Sequence, residues 1–75
     1  AMMAVKPTGN PDRDFAAMMI PPHQGAIDMA EIELRFGTDE RLRRLAQGII
    51  VEQRQEIAVM RKILSEPTSA STAKP

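Results

Sequence analysis

The chain has 75 residues, so it holds at most one small domain. Ten Lys and Arg balance ten Asp and Glu, which argues against the electropositive footprint of a nucleic-acid binder. There is no cysteine, which excludes disulfides, thiolate metal sites and a cysteine nucleophile. No apolar run reaches the roughly 18 residues that a membrane span needs.

Residues 1–9 (AMMAVKPTG) show no periodicity and carry Pro and Gly, so they read as a flexible arm. No charged-then-apolar leader is visible in them. Asn10-Pro11 is a helix start: Asn is a good N-cap, Pro suits the first helical position, and Asp12 and Asp14 favour the positive end of the helix dipole. From there the apolar residues recur at helical spacing in two adjoining rows. One runs Phe15, Met18, Met19, Pro22, Ala26, Met29, Ala30, and the other Ile20, His23, Ile27, Leu34. Together they make a stripe wide enough for a helix packed against more than one neighbour.

Pro21 and Pro22 interrupt this helix. Neither can donate a backbone N–H, so the carbonyls of Ala17 and Met18 lose their intrahelical partners. The stripe keeps its register on both sides, which predicts a proline kink within one helix and not two helices. Gly37 is expected to end it, and Thr38 to cap the next, with Asp39 and Glu40 in the first turn.

The second helix is predicted over Asp39 to Leu64. Leu42, Leu45, Ala46, Ile49, Ile50, Gln53, Ile57, Met60 and Leu64 follow steps of one, three and four residues, while Arg41, Gln47, Arg54 and Arg61 face out. Gly48 lies inside it at a propensity penalty of about 1 kcal/mol, and a close approach of the neighbouring helix would explain it. Residues 65–75 (SEPTSASTAKP) are small and polar and read as a disordered tail. The domain is therefore 10–64, an all-α antiparallel helical hairpin with a proline-kinked first helix. Domains this small usually need a metal, a disulfide or a partner chain. One hairpin leaves apolar surface uncovered, so pairing of two hairpins into a four-helix bundle, a homodimer, is the expected solution.

The chemistry-bearing residues are soft donors. Thioether sulfur and imidazole together suit Cu(I) and Ag(I) better than hard ions. Met19 and His23 are four residues apart and share a helix face. Met18 and Met29 also share a face, but they lie about 16 Å apart along the axis and cannot hold one ion together. Met60 on the second helix, or a symmetry mate, would have to complete the set. The same spacing also describes ordinary core filling by methionine, and Met18, Met19, Met29 and Met60 admit both readings. Glu52 and Glu56 read as solvated or Arg-paired carboxylates. Catalysis is not expected: there is no second His, no Ser-His-Asp set, no phosphate-binding glycine loop and no Glu-x-x-His motif.

The run Asp14-Phe15…Met18-Met19-Ile20-Pro21-Pro22-His23-Gln24-Gly25-Ala26-Ile27-Asp28-Met29-Ala30 resembles the domain of unknown function 305 family. So does Leu45-Ala46…Ile49-Ile50…Gln53…Glu56-Ile57…Met60. The resemblance covers residues 12–64. It implies a ferritin-like helical fold, a bacterial and usually exported protein, and in some members copper or silver binding through Met and His. It places His23, Met19, Met29 and Met60 on the family's Met and His positions. The family pattern usually runs Met-hydrophobic-Pro-His-His, and here Pro22 stands where the first histidine would be, with Met18 as the neighbouring soft donor. Two functions follow as expectations: a Cu(I)/Ag(I)-binding or buffering module, or a self-associating bundle with a methionine core and no metal role.

Overall fold

The computed structural model describes residues 6–67. Within them the chain forms α1 (Pro11–Phe36) and α2 (Glu40–Ser65), 26 residues each. The arm expected at 1–9 and the tail expected at 65–75 fall partly outside the described residues, at 1–5 and 68–75.

The start of α1 follows from its sequence. The Asn10 side chain accepts hydrogen bonds from the Asp12 and Arg13 backbone N–H groups at 3.1 and 3.2 Å, and Pro11 opens the helix. Gly9, at φ 91, turns the chain through the left-handed region. This brings Thr8 onto the Asp14 carboxylate, to which its N–H and hydroxyl donate at 2.9 and 2.8 Å. Those bonds, the backbone one foremost, hold the Asp14 carboxyl below its usual range.

Helix α1 runs through Pro21 and Pro22 as a single element, in keeping with the unbroken register of its apolar rows. It ends at Gly37, though not by a left-handed glycine: φ is −77 and the backbone is extended. Glycine is required there by close approach, because a Cβ would strike the carbonyl and carboxylate of Glu33. The cap of α2 is Asp39, not Thr38. Its carboxylate accepts from the N–H groups of Arg41 and Leu42 at 2.8 and 3.3 Å and pairs with the Arg41 guanidinium at 2.8 Å. A carboxylate at the positive end of a helix outcompetes the neighbouring hydroxyl.

The two helices pack as an antiparallel hairpin around a small core of Ala16, Ile27, Ala30, Ala46, Ile57 and Met60. Met19, Ile20, Ile50 and Leu64 pack against it. The row Ile20, His23, Ile27, Leu34 therefore faces α2, and Ala46, Ile50, Gln53, Ile57, Met60, Leu64 faces α1. The other row does not close. Phe15 is 62% exposed, Met29 67% and Leu45 59%, although all three belong to the predicted apolar stripes, and Phe36 is 73% exposed. A single neighbouring helix covers only one seam of each helix, and the wide stripes need a second neighbour. Gly48 is also exposed, and a Cβ on it would meet nothing within 4 Å, so a close helix approach does not account for it.

Both ends of the hairpin are tied by arginine. Arg13, in the first turn of α1, donates to the carbonyls of Ile63 and Glu66 at the end of α2, at 3.4 and 3.0 Å. Arg43, near the start of α2, donates to the carbonyls of Leu34 and Gly37 at the end of α1, at 2.7 and 3.2 Å. Each guanidinium bonds carbonyls in the last turn of a helix and just past it, and sits at the negative end of that helix's dipole.

These links also distinguish the two broad faces of the hairpin. One face is polar: Glu31 pairs with Arg54 across the helices at 3.4 Å, and Gln24 and Arg61 border the same shallow groove. The opposite face carries Phe15, Met19, Pro22, Ala26, Met29 and Phe36 from α1, with Glu33 filling the same spacing of three and four. From α2 it carries Leu42, Leu45, Ile49, Val59 and Ile63, with Glu52 and Glu56 filling the same spacing.

Candidate functional site

His23 sits near the middle of α1 on the row that faces α2, with its side chain 15% exposed. Its Nδ1 lies 2.8 Å from the Met19 carbonyl oxygen, one turn back. A carbonyl only accepts, so Nδ1 carries a hydrogen and donates it. This occurs beside the two carbonyls, of Ala17 and Met18, that Pro21 and Pro22 leave without a backbone donor. The bond fixes the ring and turns Nε2 across to α2. There Nε2 meets the Glu56 Oε1 at 2.6 Å, so a shared proton joins ring and carboxylate.

A backbone-anchored Nδ1–H with a projecting Nε2 is the restraint that commonly orients a ligating imidazole. Here Nε2 is engaged by Glu56, and an incoming ion has to displace that carboxylate or share it. Glu56 is about half exposed and has room to swing away. Among the described residues, no three His, Cys, Asp or Glu side chains gather around one point. Any ion held here draws on thioethers.

The methionines divide. Met60 is buried, and Met19 packs against the cluster that contains it. Met18 and Met29 are 55% and 67% exposed, and so belong to the surface of α1, away from the interhelical seam. The structure thus brings His23, Met19 and Met60 to the seam and leaves Met18 and Met29 outside it. The soft donors of the seam are one imidazole and two thioethers, ligand types that Cu(I) and Ag(I) prefer.

Glu56 is the residue that sequence reasoning missed as the partner of His23. The signal was present in the register. Counting back equally from the Gly37–Asp39 connection sets His23 level with Gln53, and Glu56 lies one turn further along the face. The ties made by Arg13 and Arg43 at the hairpin ends likewise show only once the helix ends are placed side by side.

Fold and site define a small all-α hairpin domain. The chain belongs to the family described as domain of unknown function (DUF305), whose model matches residues 2–72. No curated protein and no solved structure gives a significant match. No helix among the described residues is long and apolar enough to cross a membrane.

Proposed function

We propose that the hairpin is a soft-metal-binding module that takes Cu(I) or Ag(I) at His23 and Met19, with Met60 as the buried third donor. It acts by reversible ligation and not by turnover. The observation that carries this reading is the Nδ1–H bond from His23 to the Met19 carbonyl, which ties imidazole and thioether residues into one turn and leaves Nε2 as the ligating atom. Bound there, the ion would be buffered or handed on by exchange of thioether ligands, with Glu56 returning to Nε2 when it leaves. The export that the family resemblance implies belongs to the same proposal.

The test is an Ag(I) titration followed by NMR of the methionine methyls and the His23 ring, repeated with Cu(I) under reducing conditions. Saturable, stoichiometric shifts at His23 and Met19 are expected, absent in His23→Gln, with Met18 and Met29 unmoved. Shifts confined to Met18 and Met29 and indifferent to His23→Gln would sink the proposal, as would silence of all six methionines.

A second reading, self-association into a four-helix bundle, is favoured by its own observation. Nine large apolar side chains of the described residues stay exposed on a hairpin only 14 Å thick between Cα atoms. A single layer of helices has no second surface to bury its apolar stripe against.

A further inference from the structure

We infer that the occupant of the apolar face is a second copy of this chain, related by a twofold axis lying in the interface. The inference rests on the self-association reading and adds which surface mediates it.

The area is the first argument. Two helices of 26 residues, each about 39 Å long and about 10 Å across, present a face of roughly 800 Å². That is about what each partner contributes to an interface of standard size. The layout of the face is the second. Helix α1 spans 11–36 and α2 spans 40–65, so their midpoints fall between His23 and Gln24 and between Glu52 and Gln53. Glu52 and Glu56, with His23 beside them at the seam, therefore stand near the centre of the face, and Glu33 is the polar residue of its α1 row near an end. The ends are otherwise mostly apolar, Phe15 and Ile63 at one and Phe36 and Leu42 at the other.

A twofold axis in the interface and along the helices lays α1 of one copy over α2 of the other, so the middle of the face meets the middle and each end meets its own kind. It sets apolar on apolar and brings base and acid together at the centre, which is the self-complementarity that an isologous contact requires. The opposite face lacks it. That surface is tied up in its own Glu31–Arg54 pair and lined by Gln24 and Arg61, so it suits the solvent side of the resulting bundle.

The test uses the whole chain in two measurements. Sedimentation from low micromolar to near-millimolar concentration should show a monomer–dimer equilibrium. A mixed sample of isotope-labelled and unlabelled chains should give intermolecular NOEs to the methyls of Met29, Leu45 and Val59 and none to Val51, which lies outside the face. Leu45→Glu, at a site already exposed in the single hairpin, should weaken the dimer at least about a hundredfold, whereas Val51→Glu should leave it intact. A dimer whose intermolecular NOEs fall on Ile32 and Val51 would overturn the face and leave self-association standing. A monomer across the whole range would overturn both.

Discussion

At the scale of single residues, the two glycines inside the helices carry the plainest consequence. Gly25 and Gly48 are exposed, and a Cβ on either would meet no atom within 4 Å. Neither needs a backbone conformation closed to other residues, since among the described glycines only Gly9 has positive φ. Each therefore weakens its helix by about 1 kcal/mol against alanine without a contact in return. Gly25→Ala and Gly48→Ala should each raise the free energy of unfolding by about 1 kcal/mol, read as a higher melting temperature by circular dichroism. A loss of stability in either variant would mean that another molecule packs closely there. His23 shows the opposite case, a residue whose surroundings specify it. Its ring bridges a carbonyl of its own helix and a carboxylate of the other, so replacing it removes a link between the two helices as well as a donor.

Each helix takes its limits from local chemistry, and this makes the caps sensitive to acid. The Asp39 carboxyl is held below its ordinary value, first by the Arg41 guanidinium and then by the N–H groups of Leu42 and Arg41. Asp14 is held down by Thr8. A carboxylate whose value is lowered by folding adds stability above its ordinary value of 3.8. That contribution is lost as pH falls from there through the lower folded value, because the unfolded chain takes up the proton first. Melting temperature should thus be flat with respect to these two groups above about pH 5 and decline below about pH 4. Asp39→Asn keeps a capping oxygen but not the titration, so its decline should be shallower than the parent's. Equal slopes would show that the caps are not its source. This scale was the most legible from sequence. Asn10-Pro11, the acidic first turns, Gly37 and the helical spacing each act within a turn or two of chain. The element boundaries therefore follow from neighbours in sequence. The cap assigned to Thr38 went to Asp39 because two adjacent residues compete for the same donors, and charge decides between them.

The whole molecule is held at its ends by arginine and along its middle by a thin core of small and branched side chains. Arg43→Ala removes the guanidinium donor from the carbonyls of Leu34 and Gly37 at the turn, and Arg13→Ala removes it from Glu66 and Ile63 at the open end, where Ile63 keeps the Glu66 N–H. Each should lower stability by about 1 kcal/mol. The two ends lie far apart, so the effects in the double variant should add within about 0.5 kcal/mol. Both bonds of Arg43 leave one terminal nitrogen, Nη1, so lysine, whose ammonium carries three donors on a different stem, should recover part of the loss. Thermal unfolding of the four chains decides this, and unchanged melting in Arg43→Ala would show that water serves those carbonyls equally well.

By itself the sequence determined that the chain forms two helices, where each begins and ends to within a residue, that they fold back on a short connection, and which residues carry soft donors. These depend on backbone hydrogen bonding, proline and glycine geometry and a repeat of three or four residues, all of them local. Two apolar rows ran along α1 and one wide stripe along α2, and nothing local said which part of each would meet the other helix. Only the tertiary structure decided that Ile20, His23, Ile27 and Leu34 turn inward while Phe15, Met18 and Met29 stay outside, and that Met19 and Met60 part from the other methionines. It also decided that the lone histidine ends on Glu56. The physical reason is that one helix covers only one seam of its neighbour, and which seam that is depends on the packing of both helices together.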